Sequence, residues 1–162
     1  MFEAFSLSGT KFLNSMNEKY RKNVVYPILA IIIAIILMII GLYSQGRVWW
    51  CKVGDFSPWS SDIWTAHNSQ HFFDPYTFTH ILHGVLFFWI ADLILSDYHL
   101  RWKFFLVVLV ECLWELAENS NAVIDRYRTV TISLDYYGDS ILNSLSDVLC
   151  CAFGAFLAYK LK

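Results

Sequence analysis

The sequence predicts an all-α integral membrane protein with four transmembrane helices in a compact bundle, cytoplasmic N- and C-termini and a tryptophan-rich outer loop. Three observations predict this fold. Hydrophobic residues make up 57% of the 162 residues and charged residues only 16%, whereas soluble proteins average about 25% charged residues. Four apolar segments have lengths that suit bilayer-crossing helices. The basic residues gather at alternate ends of these segments. The chain length indicates one membrane domain, residues 1–162.

The first predicted span is the clearest. Residues 24–43, "VVYPILAIIIAIILMIIGLY", are long enough to cross the hydrocarbon core, and no charged residue occurs between Lys22 and Arg47. No small-x-small cleavage motif follows, so we expect an uncleaved anchor. Pro27 stands in the first turn, where its missing N–H is tolerated. Residues 1–23 are expected to form a cytoplasmic N-terminal segment.

The other three predicted spans carry polar residues. They cover residues 77–96, 103–120 and 138–160. The last two contain acidic residues, which membrane helices tolerate when these residues face the interior of a bundle. We therefore expect both helices to turn their acidic faces toward the other spans.

Basic residues set the predicted orientation. Eight of the twelve lysines and arginines lie before the first span, between the second and third, or after the fourth. Positively charged loops stay on the cytoplasmic side. We therefore expect a multi-pass protein of the bacterial inner membrane, with the loops of residues 45–76 and 121–137 on the outer side.

Polar side chains recur at helical spacing in three of the spans. His80 and His83 lie three residues apart at the outer end of the second span, so they share one helix face. The third and fourth spans carry similar stripes, made of Glu111, Glu115 and Glu118 and of Asp139, Asn143 and Asp147. Ionisable residues inside a bilayer are costly unless they pair or face water. The three stripes therefore predict a polar site in the outer half of the membrane.

Two chemistries suit such a site. A divalent metal such as Zn²⁺, Mn²⁺ or Fe²⁺ accepts mixed nitrogen and oxygen ligands. The predicted metal ligands are His80, His83, Glu115 and Asp139. A metal-free acid–base site is the alternative, because crowded carboxylates raise one another's pKa. The predicted catalytic residues are Glu115, Glu118, Asp139 and Asp147. A purely structural hydrogen-bond network between helices is the third interpretation.

The outer loops supply candidate substrate contacts. Arg126 and Arg128 lie near the predicted mouth of the site, and neighbouring guanidiniums suit a phosphate or carboxylate. Pairing of these arginines with Asp125 or Asp135 is the alternative. The other predicted substrate-binding residues are Asn143, His71 and Asp74.

The loop of residues 45–76 is rich in tryptophan. Such residues are typical of a membrane interface, and a loop of this length is often a lid. The tryptophans are Trp49, Trp50, Trp59 and Trp64. We expect this loop to lie over the mouth of the site.

Charge and cysteine content narrow the function classes. A net charge of −2 gives no sign of a nucleic-acid surface, so no nucleic-acid partner is expected. The four cysteines lack C-x-x-C metal spacing, and most lie in apolar stretches. We expect buried thiols and no disulfide framework. No G-x-S-x-G nucleophile motif, P-loop or dinucleotide fingerprint is present.

Several long motifs carry a resemblance to a known family. At "HNSQHFFDPYTFTHILHG", "ECLWELAENS", "IDRYR" and "ISLDYYGDSILNSLSDVL" the chain resembles a group of bacterial inner-membrane proteins, the "domain of unknown function 2585" group. The resemblance covers roughly residues 45–158. It implies a bacterial inner-membrane location and no established activity.

A more distant resemblance links the order of the polar helices to another group. A histidine-containing helix, a "WE..E" helix and a "D…N…G" helix in this order are similar to VanZ-like membrane proteins. That resemblance implies an association with glycopeptide-antibiotic resistance. The matching residues are His80, His83, Trp114, Glu115, Glu118, Asp139, Asn143 and Asp147.

A third resemblance points to an aspartyl membrane peptidase. "VIDRYRTVTISLDYYGDSILNSLSD" is similar to the "NLIDR…VVDF…NVAD" region of lipoprotein signal peptidases, which implies Asp135 and Asp147 as the catalytic pair. The sequence departs from this pattern, because Asn143 lies four residues before Asp147 instead of three. The histidines and the glutamate stripe also have no counterpart in that family.

Three functions follow as hypotheses. The first is a hydrolase or transferase, metal-dependent or not, that acts on a membrane lipid or a lipid-linked substrate. The second is a non-enzymatic binding, resistance or assembly factor whose polar network is structural. The third is proton or ion movement, for which four spans suffice only in a homo-oligomer. The sequence is compatible with such an oligomer.

Overall fold

The computed structural model describes residues 16–131 and 133–162. Within these residues the fold is all-helical, with one isolated bridge between Trp59 and Phe73 and no strand. The helices are α1 (Met16–Ser44), α2 (Thr77–Ile94), α3 (Leu100–Glu118), α4 (Asn121–Val130) and α5 (Ile141–Leu161). The turn Arg21–Val25 of α1 is π-helical. The expected all-α fold is confirmed.

Three of these helices, α1, α2 and α5, are long and apolar enough to cross a membrane. Much of α1 exposes large apolar side chains, among them Ile33, Leu37 and Ile40. Exposed apolar surface on this scale is typical of a lipid-facing helix. The chain therefore has the build of a membrane protein. That α3 also crosses the bilayer stays a prediction.

The helices differ most from the predicted spans in two places. Helix α1 already includes residues 16–23, which the sequence placed in a segment before the first span, while residues 1–15 lie outside the described part. Residues 121–130 form α4 where a loop was predicted. Helix α4 buries only Ile124 and is otherwise mostly polar, so it has no apolar run that would reveal it in the sequence.

Helices α2 and α5 make the most extensive contact in the bundle. Their backbones touch at two glycines. A Cβ atom added to Gly84 would lie 1.9 Å from the carbonyl oxygen of Cys151, and one added to Gly154 would lie 2.0 Å from that of Ile81. Small residues allow such close approach of membrane helices. This contact sets the distance between the polar stripes of α2 and α5.

Helix α1 packs mainly against α3, below the polar residues. The buried apolar cluster there comprises Ala34, Met38, Leu42, Val108, Cys112, Ile141 and Val148. A second cluster joins α2, α3 and α5 and includes Phe88, Val107, Cys151 and Ala155. The two clusters form the apolar core on which the polar site rests.

The loop between α1 and α2 lies on the N-terminal end of α5. The backbone N–H of Ser140 donates to the carbonyl of Ser69 at 2.9 Å, and that of Ile141 donates to Val48 at 2.8 Å. The first N–H groups of a helix lack partners within the helix. The loop supplies these partners and thereby becomes a fixed wall next to α5.

At the opposite end of the bundle, Asp92 of α2 forms an ion pair with Lys103 at 2.7 Å and another with Lys162. The indole N–H of Trp102 donates to the carbonyl of Lys22 at 3.0 Å. This end carries Lys22, Lys103 and Lys162, which the sequence predicts to be cytoplasmic.

Candidate functional site

His80 lies at the centre of the polar residues, in the first turn of α2. The helix begins at Thr77 because Asp74 caps it: Asp74 Oδ1 accepts from the backbone N–H of Tyr76 at 2.7 Å and of Thr77 at 3.2 Å. A carboxylate at this position satisfies N–H groups that the helix leaves open. The cap places His80 one turn into the helix, where it is buried.

Carboxylates of α3 and α5 surround the His80 ring. Its Nδ1 lies 2.5 Å from Glu111 Oε1 and 3.6 Å from Glu115 Oε1. Its Nε2 faces Asp147 Oδ2 at 3.9 Å. The hydrogen bond to Glu111 holds the ring in one orientation and leaves Nε2 for other contacts. The imidazole is therefore oriented by one acid and aimed toward another.

His83 lies on the far side of Glu111. Its Nδ1 is 3.3 Å from Glu111 Oε2, and its ring stacks on Phe87 and packs edge-on against Trp114, with both centroid distances 5.3 Å. Glu111 thus lies between two imidazoles. It is hydrogen-bonded to His80, whereas its contact with His83 lacks hydrogen-bond geometry.

Several oxygen atoms of these buried carboxylates lack a hydrogen-bond donor. Among the described residues no donor reaches either oxygen of Glu115, Oε2 of Glu111 or Oδ1 of Asp147. Within the same residues, no lysine or arginine forms an ion pair with any of the three. Uncompensated carboxylates in a bilayer are very costly. The cluster therefore needs protons or a cation.

Asp139 has a different environment from these acids. Its Oδ2 accepts from Asn119 Nδ2 at 2.7 Å, its Oδ1 accepts from the Tyr136 hydroxyl at 2.9 Å, and its backbone N–H donates to Asn119 Oδ1 at 2.7 Å. Asp139 is thus a satisfied group that joins the chain after α4 to the end of α3.

Tyrosine hydroxyls form the outer rim of the site. The hydroxyls of Tyr76 and Tyr127 lie 3.0 Å apart, and the rings of Tyr127 and Tyr136 pack edge-on at 5.0 Å. Burial raises the pKa of Tyr76, helped by its bond to Tyr127. Burial also raises the pKa of Tyr136, beside the charge of Asp139. Both phenols therefore remain protonated donors at neutral pH.

A cavity of about 60 Å³ opens between this rim and His80. One water molecule needs roughly 10–15 Å³ of such space, so the cavity accepts a few waters or a small polar group. Its lining residues are Asn68, Ser69, Tyr76, His80, Glu118, Val123, Tyr127, Tyr136, Asp139, Asn143 and Asp147. His80, Glu118 and Asp147 therefore share one small cavity.

The structure brings part of the predicted site into this cavity. His80, Glu118, Asp139, Asn143 and Asp147 line it. Glu115 lies directly behind His80 and is fully buried.

The predicted substrate-binding residues do not line this cavity, apart from Asn143. Arg128 donates from Nε to the carbonyl of Leu134 at 3.0 Å, and Arg126 is exposed. Asn143 Nδ2 donates to the backbone carbonyl of His71 at 2.7 Å and approaches Asp74 Oδ2 at 3.5 Å. Asn143 thus connects α5 to the loop, and substrate contact by these residues stays a prediction.

The residues that line the cavity also bear on the resemblance to lipoprotein signal peptidases. Asp147 is buried and lines it, whereas Asp135 is exposed and does not. The two aspartates that a signal-peptidase mechanism requires are therefore not together at this site.

Sequence reasoning missed Glu111 and the three tyrosines of the rim. Glu111 was assigned to the stripe but not to the site, because it lies deeper than Glu115 and Glu118. Its spacing of four from Glu115 was the available signal. The rim tyrosines Tyr76, Tyr127 and Tyr136 come from three separate segments, and only the folded chain brings them together.

Two sets of side chains at this site have the spacing of metal ligands. One comprises His80, His83 and Glu111 and the other His80, Glu115 and Glu118, and within each set the ligand atoms lie within 4.8 Å of one another. Of the predicted ligands, His80 belongs to both sets, His83 only to the first and Glu115 only to the second. Asp139 belongs to neither set, and both of its oxygens accept hydrogen bonds.

Comparison with known proteins places the chain among uncharacterised bacterial proteins. A family model described as "Protein of unknown function (DUF2585)" matches residues 42–162. A UPF0314 protein of Paracoccus denitrificans is 42% identical over 135 residues, which cover 83% of this chain and 70% of that relative. A UPF0314 protein of Rhizobium johnstonii is 49% identical over 118 residues, 73% of this chain and 60% of that relative.

A UPF0314 protein of Sinorhizobium fredii is 45% identical over 125 residues, 77% of this chain and 64% of that relative. The chain spans about two thirds of the length of these curated relatives. No solved structure matches it. The names of the relatives state no activity, so the chemistry has to be argued from the site.

Proposed function

This chain belongs to the family described as "Protein of unknown function (DUF2585)", and we propose that it is a metal-dependent hydrolase or transferase of the bacterial inner membrane. Its substrate is a membrane lipid or lipid-linked molecule. The observation that carries this proposal is the group of buried carboxylates around His80, four of whose oxygens lack donors among the described residues.

A divalent cation would compensate these carboxylates. His80, Glu115 and Glu118 form the preferred ligand set, because their ligand atoms converge and both oxygens of Glu115 lack other partners. Zn²⁺, Mn²⁺ and Fe²⁺ accept such nitrogen and oxygen ligands. Because His80 Nδ1 donates to Glu111, the cation would be held through Nε2, and a carboxylate partner of this kind commonly orients a metal-binding imidazole. When bound, the cation would polarise the substrate and acidify a water molecule.

Asp147 is the proposed general base. It lines the cavity, its Oδ1 lacks a donor within the described residues, and its Oδ2 faces His80. In hydrolysis, the oxygen of water forms a bond to the carbonyl or phosphoryl centre of the substrate and its proton passes to Asp147. The bond to the leaving oxygen breaks, and that oxygen takes up the proton from Asp147. In group transfer, a substrate hydroxyl replaces the water.

The position of the cavity favours a membrane-bound substrate. It lies near the end of the bundle at which α2 and α5 begin, above an apolar core and beside helices that expose apolar side chains. With four spans and cytoplasmic termini, this end faces outward. A reactive group at lipid head-group depth would then reach the cavity with its acyl chains still in the bilayer.

A structural role is the competing function for part of the network. Asp74, Asn119, Asp139 and Asn143 form satisfied hydrogen bonds that connect the loop and the helix ends. These hydrogen bonds account for the four buried polar side chains without a catalytic role. They leave Glu115 and Asp147 unexplained, which favours catalysis at the inner part of the cluster.

The proposal can be tested without knowledge of the substrate. The protein is reconstituted into vesicles made from the total lipids of Rhizobium johnstonii, the source of one relative. The vesicles are incubated with Mn²⁺ or Zn²⁺ in ¹⁸O-labelled water. Mass spectrometry then follows the lipids and the released head groups. Hydrolysis introduces one ¹⁸O atom into a product, whereas group transfer changes the lipids without the label.

The matched variants are Glu115→Gln and Glu18→Gln. Glu18 is an exposed residue that pairs with Lys22 at the other end of the bundle. We expect Glu115→Gln to lose the lipid change and Glu18→Gln to keep it. If wild type and Glu115→Gln leave the lipids equally unchanged, while both fold and insert, the structural interpretation is correct.

A further inference from the structure

A second cluster of ligating side chains lies outside this cavity, in the loop of residues 45–76. Cys51 Sγ is 3.6 Å from His67 Nδ1, which is 3.2 Å from His71 Nε2. One ligand atom from each of the three residues lies within 4.8 Å of the others. None of them lines the cavity. The cluster therefore needs an explanation of its own.

The orientation of His71 is that of a metal ligand. Its Nδ1 lies 2.6 Å from the carbonyl oxygen of Ser57. A carbonyl only accepts hydrogen bonds, so Nδ1 carries the proton and the lone pair of Nε2 points toward His67. Metal-binding histidines commonly donate their second ring N–H in this way. The ring is completely buried and packs against Trp50.

The donor atoms select the class of metal. One sulfur and two imidazole nitrogens suit Zn²⁺, whereas Mg²⁺ and Ca²⁺ prefer oxygen ligands. Cys51 is 6% exposed, so the thiol is enclosed next to both rings. We propose that Cys51, His67 and His71 bind one zinc ion, with a water molecule as the fourth ligand.

The position of this site gives zinc a structural consequence. His67 and His71 bracket Asn68 and Ser69, both of which line the cavity. Ser69 has a φ of +53°, a left-handed conformation that is uncommon outside glycine. Its carbonyl accepts from the backbone N–H of Ser140. Zinc at the two histidines holds this segment in place and thereby fixes one wall of the cavity.

Cobalt substitution tests the site directly. Metal-free protein in detergent is titrated with Co²⁺, and the near-ultraviolet charge-transfer band of a cobalt–thiolate bond is recorded. We expect one equivalent of Co²⁺ to produce the band in wild type, and Zn²⁺ to displace it. Cys51→Ser should abolish the band, and His71→Ala should weaken Co²⁺ binding by about tenfold or more.

Cys150→Ser is the matched control, because Cys150 is a half-buried thiol on α5 far along the helix from the loop. It should leave the band unchanged. Absence of the band in folded wild type overturns the proposal, and so does a band that survives in Cys51→Ser. If Cys51→Ser does not fold, His67→Ala decides: an unchanged Co²⁺ affinity in that variant also overturns it.

The two proposed metal sites can be refuted independently of each other. Mn²⁺ binding, followed by the electron paramagnetic resonance of free Mn²⁺, reports on the carboxylate cluster, since Mn²⁺ favours oxygen and nitrogen ligands over thiolate. The cobalt–thiolate band reports only on Cys51. A protein that gives the band but binds no Mn²⁺ keeps the loop site and loses the metal-dependent function.

Discussion

Glu111 Oε1 lies 2.5 Å from Nδ1 of His80, across the interface of α2 and α3, and both side chains are buried. This contact determines which nitrogen of His80 faces the cavity. Because the partner residues are 31 positions apart in the chain, the orientation of the imidazole depends on the packing of the two helices. It is the most direct link between the fold and the proposed chemistry.

Replacement of Glu111 tests that link. Glu111→Gln keeps the size of the side chain but removes its charge, so the imidazole loses its anionic partner. Outer-contact substitutions of this kind cost about 10- to 100-fold in metal affinity or activity. We expect a loss in this range for Mn²⁺ binding measured by electron paramagnetic resonance. Glu18→Gln is the control, and equal affinities in the two variants would show that Glu111 does not position a ligand.

The contact between α2 and α5 should be intolerant of any side chain at Gly84. A Cβ there would lie 1.9 Å from the Cys151 carbonyl and 2.8 Å from the Ala155 nitrogen, both backbone atoms. Gly84→Val should therefore destabilise the fold by about 3 kcal/mol or more. Gly41→Ala is the control, since its added Cβ meets only the flexible end of Leu116. Thermal unfolding in detergent measures both, and equal melting temperatures would contradict the observed packing.

Asn119 should contribute strongly to stability. Its side chain is fully buried and makes two hydrogen bonds with Asp139. Asn119→Ala leaves a buried carboxylate oxygen and a backbone N–H without those partners, at a cost of about 1–3 kcal/mol each. Asn121→Ala, which removes one exposed bond from Arg47, should cost much less. Chemical denaturation of the two variants compares them, and a similar loss in both would count against this role of Asn119.

Two serines at helix N-termini make a matched pair. Ser140 Oγ accepts from the backbone N–H of Asn143 at 3.1 Å and donates to the carbonyl of Gln70 at 3.2 Å. Ser120 occupies the same position before α4 without a side-chain cap bond. Ser140→Ala should cost about 1 kcal/mol or more, whereas Ser120→Ala should be nearly neutral. The difference in melting temperature is the measurement, and a larger effect at Ser120 would refute the capping assignment.

The proposed topology predicts labelling from one side only. Phe56 lies in the loop expected outside, and Tyr98 lies in the turn expected in the cytoplasm; both are exposed. A membrane-impermeant maleimide should label Phe56→Cys in spheroplasts and Tyr98→Cys only after permeabilisation. The unsubstituted protein gives the background from its own cysteines, three of which are buried and one half-buried. The reverse pattern would invert the orientation and place the cavity on the cytoplasmic side.

The sequence predicts the helices well where they are long and apolar. Thr77 begins α2 as expected, because Asp74 and Pro75 end the loop and the apolar run starts there. Helix α4 was missed because a ten-residue, mostly polar helix carries no such run. Its stability comes from tertiary contacts, which local sequence does not encode.

The site was predictable to the extent that helical spacing reveals a shared face. Spacing placed His80 opposite the glutamates of α3, and the structure brings His80 together with Glu111 and Glu115. Spacing could not show that Asp139 is satisfied by Asn119 and Tyr136, because those contacts depend on how the chain after α4 folds back. The loop cluster of Cys51, His67 and His71 was missed because its contacts depend on how the loop of residues 45–76 folds.

The close backbone contacts at Gly84 and Gly154 have a mechanical consequence for the protein in its membrane. Bilayers of different hydrocarbon thickness are accommodated by tilting and sliding of helices. Two backbones in direct contact resist sliding past each other. The separation of His80 from Asp147, one on each of these helices, should therefore stay constant as lipid composition changes. A change in the lipid composition of the cell would then leave the distance between His80 and Asp147 unchanged.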